Sequence, residues 1–247
     1  MALTNPDKTD KSELDNAEPR SKTPAGSPVT NPWSYRIGTV GGIPIYLHVT
    51  FLLLLFFLVV RAFGQPNRAV AFGESAFVIG LFACVVLHEL GHSLVARRYH
   101  IPVADITLYP IGGIARIEKQ PTPAQELRIA IAGPAVNLVL FAAIAAITKA
   151  IGPFGLEPGV FLHHPDWLRR LAAVNLSLAL FNMIPAFPMD GGRVLRALLG
   201  LRMPFDRATS VAAGVGQALA LAAGLFAILS GWWMLLFIAL FIFLGWR

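Results

Sequence analysis

LFACVVLHELGHSLVARRY, residues 81–99, sets His88, Glu89 and His92 inside an apolar run long enough to cross a lipid bilayer. On a helix, positions four apart lie one above the other, so both imidazoles project from one face and can grip one cation. Glu89 directly follows the first histidine, where a carboxylate can serve as base for a metal-bound water. An ionised carboxylate near mid-bilayer costs about 2.5–3.5 kcal/mol to insert. Such residues at membrane depth therefore read as a site.

The surrounding composition agrees with a bilayer setting. Of 247 residues, 55% are hydrophobic and 14% charged, and the mean hydropathy is +0.63. Soluble domains carry roughly 25% charged residues. The net charge of +6 does not indicate a nucleic-acid partner, because no basic cluster is interleaved with aromatics. The arginines stand instead at the ends of apolar runs, as orientation signals do. Cys84 is the only cysteine, which excludes an intrachain disulfide framework. Polar residues fill the first thirty-odd positions, so no cleavable signal peptide is expected there.

Outward from the central stretch, the chain divides into a tail and one membrane domain. Residues 1–32 are rich in Pro, Ser, Thr, Lys, Asp and Glu and predict a disordered cytoplasmic tail. Residues 33–45 carry the breakers Gly41, Gly42 and Pro44 and predict an interfacial strand or loop. Spans are expected at about 46–63, 76–97, 127–147, 167–184, 208–229 and 232–246. Between the second and third, residues 101–119 alternate with period two around Pro110 and Gly112-Gly113 and predict a β-hairpin. Thr122, Pro123 and Gln125 form a helix start of capping-box type. Pro185 and Pro188 break the fourth span just before Asp190, a short amphipathic segment follows at 192–201, and Asp206 is the expected cap of the fifth span. The fold class is thus an all-α polytopic membrane protein of six transmembrane helices, with a small membrane-associated β-hairpin or sheet.

Charge placement orients this arrangement. With the amino terminus cytoplasmic, Arg97, Arg98, Arg116, Lys119, Arg128, Arg193, Arg196, Arg202, Arg207 and Arg247 fall on the cytoplasmic side. Arg61, Arg68, Lys149, Arg169 and Arg170 fall on the other. The bias places both termini in the cytoplasm of a multi-pass cell-membrane protein. His88 then lies ~14 Å inside the cytoplasmic end of its span at the usual helical rise. Asp190, at the broken end of the parallel fourth span, reaches a slightly shallower depth. Hydrolytic zinc sites take three protein ligands and leave a fourth position to water. Asp190, in PMDGGR at 188–193, is the best candidate to join His88 and His92. Irregular backbone at this depth is tolerated only where it packs in protein or lines a cavity.

These motifs resemble the site-2 protease family of intramembrane zinc metalloproteases. HELGH at 88–92 matches its first motif, and FNMIPAFPMDGGRVLRAL at 181–198 matches its second, N-x-x-P-x-x-P-x-D-G. LYPIGGIARI at 108–117 and AGPAVNL at 132–138 also resemble family segments, so the likeness covers all but the tail. Pro188-Met189 before the aspartate resembles the six-span bacterial and archaeal branch. The cystathionine-synthase-like pair that often ends that branch is not expected within this sequence. The resemblance implies one Zn2+ per chain on His88, His92 and Asp190, Glu89 as catalytic base, and residues 33–247 as the metalloprotease domain. It implies that Asn182 binds substrate backbone or steadies an oxyanion, an interhelical hydrogen bond being the alternative. The implied substrate is a single-pass membrane protein, such as an anti-sigma factor or a membrane-tethered transcription regulator, cut in or near its transmembrane segment.

Other functional classes fit the pattern less well, and the other polar residues have ordinary roles. A metal transporter would spread His and carboxylates along a path instead of clustering them at one depth. A catalytically inactive scaffold would not need Glu89. Asn137 reads as helix packing. Cys84, one turn before His88, reads as a small buried residue, with a Cys-His-His metal set as the alternative. His48 reads as a core polar group of the first span, and His163 and His164 lie on the outer loop, away from the site.

Overall fold

The computed structural model describes residues 32–64, 67–109, 112–117, 119–151 and 166–244. The expected tail, through residue 31, and His163 and His164 fall outside them. Four strands form one sheet in the order β1-β2-β3-β4. Strands β1 (Ser34–Val40) and β2 (Ile43–His48) make an antiparallel hairpin. Its turn uses Gly41 at φ +56° and Gly42 at φ +80°, conformations that a Cβ disfavours. Strands β3 (Val103–Tyr109) and β4 (Gly112–Ile117) form a second antiparallel hairpin. The two hairpins join through parallel pairing, Ile45 opposite Ile106 and Leu47 opposite Leu108. Parallel neighbours need a long crossover. Helices α1 (Val49–Phe63) and α2 (Arg68–Arg98) supply it.

The rest of the described chain is helical: α3 (Pro123–Ile151), α4 (Trp167–Asn182), α5 (Asp190–Gly200), α6 (Phe205–Ser230) and α7 (Trp233–Leu244). Among the described residues, α2, α3 and α6 are long and apolar enough to cross a membrane, and α1 and α7 are shorter apolar helices. At 1.5 Å per residue, the 15 residues of α1 and 12 of α7 reach ~22 and ~18 Å, short of a ~30 Å hydrocarbon core. The described residues are thus mostly helical, with three candidate spans among them. Residues 46–48, assigned to the first span by hydropathy, belong to β2: all three pair with β1, and Tyr46 and Leu47 also pair with β3. His48 accordingly lies at the end of a strand. Its Nδ1 is 2.8 Å from Thr50 Oγ1, and its ring lies 4.8 Å from that of Tyr109.

Helix ends follow local chemistry. The Gln125 side chain accepts from the Thr122 backbone N–H at 3.0 Å, the returning arm of a capping box. Asp206 is not the cap expected of it: α6 begins at Phe205 with Pro204 at the cap position, and Asp206 stands in the first turn. There its charge still complements the helix dipole.

Packing brings these elements onto α2. Ile43, Ile45, Phe51, Leu90, Ile106 and Leu108 form one buried cluster, so the sheet lies against the half of α2 that carries the histidines. Contact between α2 and α3 is close. A Cβ at Gly91 would lie 3.0 Å from the Ala132 carbonyl oxygen and 2.8 Å from Val136 Cγ2. Small residues serve this purpose where lipid supplies no hydrophobic drive between helices. Ala186 and Met189, in the turn between α4 and α5, pack with Ala220 of α6 and Ile242 of α7. That contact holds the turn that precedes Asp190.

Candidate metal centre

Helical spacing stacks His88 and His92 on one buried face of α2. Asp190 comes from the first turn of α5, delivered by the turn at 183–189 in which Pro185 and Pro188 prevent α4 from continuing. Segments 98 residues apart therefore converge. His92 Nε2 lies 3.1 Å from His88 Nε2 and 3.1 Å from Asp190 Oδ2. His88 Nε2 lies 3.3 Å from the same carboxylate oxygen.

Each imidazole is turned by a hydrogen bond on its far nitrogen. His92 Nδ1–H donates to the Ile129 carbonyl at 2.6 Å, and His88 Nδ1–H donates to Asn137 Oδ1 at 3.2 Å. A proton held on Nδ1 leaves Nε2 with a lone pair directed at the shared point. Two imidazole lone pairs and a carboxylate oxygen facing one another repel unless a cation lies among them. Tetrahedral zinc at about 2.05 Å from each donor separates its ligands by ~3.3 Å. The three observed separations approach that edge length, so the donor set fits zinc. His88, His92 and Asp190 are positioned to bind one metal ion.

Two glycines let other elements reach this point. A Cβ on Gly133 of α3 would fall 2.2 Å from His92 Nε2 and 2.7 Å from His88 Cε1. On Gly113 of β4 it would fall 2.4 Å from Glu89 Cγ. The bare backbone of β4 thus lies against the side chain of Glu89, which is half-buried next to the metal ligands. Arg193, one turn along α5, reaches toward the outer oxygen of Asp190, Nη1 to Oδ1 being 3.7 Å.

The remaining sequence candidates divide. Asn182 is the last residue of α4, half-buried at the start of the proline turn, and it is not a hydrogen-bond partner of the three ligands. Cys84 stays outside the cluster: it is buried and accepts from Asn175 Nδ2 at 3.2 Å. Asn137, read as helix packing, proves to be the partner of His88. Its only sequence signal was its place one turn beyond Gly133 in AGPAVNL. Glu126 carries no distinguishing sequence signal, because an acidic residue in a first helical turn ordinarily complements the helix dipole.

Comparison with known proteins places this geometry in context. Residues 76–155 and 152–223 match Peptidase family M50. A zinc metalloprotease of Methanocaldococcus jannaschii is 39% identical over 213 residues, covering 86% of this chain and 59% of the relative. A Synechocystis sp. relative is 39% identical over 211 residues, 79% of this chain and 53% of its own. The chain therefore spans little more than half the length of these two proteins. The solved structure of a site-2 protease from M. jannaschii superposes with a TM-score of 0.61 at 37% identity, covering 87% of this chain and 94% of that one.

Proposed function

The chain belongs to peptidase family M50, the site-2 protease family, and on that premise we propose that it is an intramembrane zinc metalloendopeptidase. The substrate class is a single-pass membrane protein, such as an anti-sigma factor or a membrane-tethered transcription regulator, cut within or near its transmembrane segment. The observation that carries this reading is the convergence of His88 Nε2, His92 Nε2 and Asp190 Oδ2 within 3.1–3.3 Å, with Glu89 adjoining the first ligand.

Zinc held by these three residues would acidify a bound water toward neutral pH and polarise the scissile carbonyl. Glu89 accepts a proton from the attacking water and passes it to the leaving amine nitrogen as the C–N bond breaks. The Asn182 amide donates to the oxyanion that develops on the carbonyl. A transmembrane helix hides its carbonyls in internal hydrogen bonds, so substrate must be locally extended. Support for where it lies comes from β4, an edge strand of the sheet whose Gly113 abuts Glu89. Strand addition to β4 would present a substrate carbonyl beside the base.

Six spans, cytoplasmic termini and a domain at 33–247 belong to the same proposal, with α1, α4 and α7 as the spans beyond the three long ones, their short length accommodated by local thinning of the bilayer. Purified chain and its Glu89→Gln variant, tested on a detergent-solubilised transmembrane substrate, decide the mechanism. Loss of about 10²–10⁴-fold in turnover with zinc retained is the expected result. Equal cleavage by both would remove Glu89 as base.

A further inference from the structure

Four positions on α3, at 126, 129, 133 and 137, are separated by three, four and four residues and so share one helix face. Each touches the metal centre or a group that does. Gly133 is the floor against both imidazoles. The Ile129 carbonyl takes the His92 proton, and Asn137 Oδ1 takes that of His88. Glu126, at 0% exposure, pairs with two arginines of α5. Arg196 contacts its Oε1 directly, and Arg193 Nε lies 3.9 Å from the same oxygen. Arg193 in turn reaches Asp190 Oδ1, while the Arg196 guanidinium lies 5.2 Å from the Phe187 ring and 5.0 Å from that of Phe205.

A buried ion pair is a poor source of stability, since apolar residues of similar volume often do as well or better. What it supplies here is geometry. Asp190 follows an irregular turn, and its carboxylate must present Oδ2 to the imidazoles while Oδ1 is held from behind. The Arg193 guanidinium, 3.9 Å from the buried Glu126 carboxylate and 3.7 Å from Asp190 Oδ1, lies between the two negative charges, and their attraction orients it without a direct hydrogen bond to either. We propose that this face of α3 is the template that aligns all three metal ligands, with Asn137 and Glu126 as positioning residues, the first acting on His88 and the second on Asp190 through Arg193. The inference rests on the metal site proposed above.

The test uses the full chain in detergent, reading zinc affinity by competition with a chromophoric chelator and the melting temperature of the metal-free form. Asn137→Leu and Glu126→Gln should each weaken zinc binding about 10–100-fold. Asn137→Asp, which keeps an acceptor for the His88 proton, should recover most of the loss. Glu74→Gln is the structural control. It breaks the Glu74–Arg170 pair between α2 and α4 and should leave zinc affinity unchanged even if melting falls. Unaltered affinity in Asn137→Leu and Glu126→Gln, or an equal drop in Glu74→Gln, would overturn the template. If Glu126→Gln does not fold, the Asn137 pair decides it alone. Failure of the unaltered chain to bind zinc would overturn the metal site as well, whereas binding that both α3 variants retain would overturn only the template.

Discussion

A methyl group added at Gly133 would sit 2.2 Å from His92 Nε2, and one at Gly113 would sit 2.4 Å from Glu89 Cγ. Both collisions are with groups that the proposed chemistry needs, but with different ones. Gly133→Ala should therefore cost metal: zinc content falls well below one per chain, and the melting temperature drops with an overpacking penalty of about 1–3 kcal/mol. Gly113→Ala should spare zinc content and lower kcat, because only the base is displaced. Zinc loss in Gly113→Ala equal to that in Gly133→Ala would contradict this division. The two histidines were legible as candidate ligands from residue types alone, since His-x-x-x-His spacing within an apolar run leaves few other uses. Asn137 and Glu126 were not. An asparagine in an apolar helix and an acid in a first turn each have an ordinary explanation, and only the three-dimensional partner distinguishes the special one.

Two devices operate at the scale of elements: the proline turn between α4 and α5, and the joining of two hairpins into one sheet. The turn was readable, because Pro185 and Pro188 forbid a continuous helix there; the glycines after Asp190, expected to keep the backbone irregular, instead stand in the first turn of α5. Parallel pairing of β2 with β3 was not, since residues 45 and 106 are linked by no local pattern and the pairing depends on the crossover through α1 and α2. Pairing with β1, together with β3 at Tyr46 and Leu47, makes residues 46–48 the end of a strand instead of the start of a helix. Proline at Gly112 and Gly113 should cut substrate turnover more than zinc content if β4 receives an extended substrate; equal losses of both would count against strand addition. Cys84 offers a check on α2. Its sulfur is engaged by Asn175, one turn from His88, so Cys84→Ala should keep one zinc per chain. A loss of zinc in that variant would restore the Cys-His-His set as a metal site.

Across the whole molecule, the account requires a particular orientation in the bilayer. Positive charge gathers at the ends assigned to the cytoplasm. In a Cys84→Ala background, a cysteine at Lys119 should react with an impermeant thiol reagent only after the membrane is opened, and one at Ser230 should react from outside in intact cells. The reverse pattern would invert the topology. Hydropathy made the long helices α2, α3 and α6 plain and already set the last apolar run, 232–246, shorter than the others, but it began the first helix at 46 where α1 begins at Val49, because apolar composition does not record where a helix starts. The claim on which everything turns is that two distant segments share one cation. X-ray absorption at the zinc edge of the purified chain tests it directly. The account predicts two imidazole nitrogens and light oxygen donors at about 2.0–2.2 Å, with Asp190→Ala reducing zinc occupancy. A zinc-free protein, a sulfur ligand near 2.3 Å, or an Asp190→Ala spectrum identical to that of the unaltered chain would contradict it.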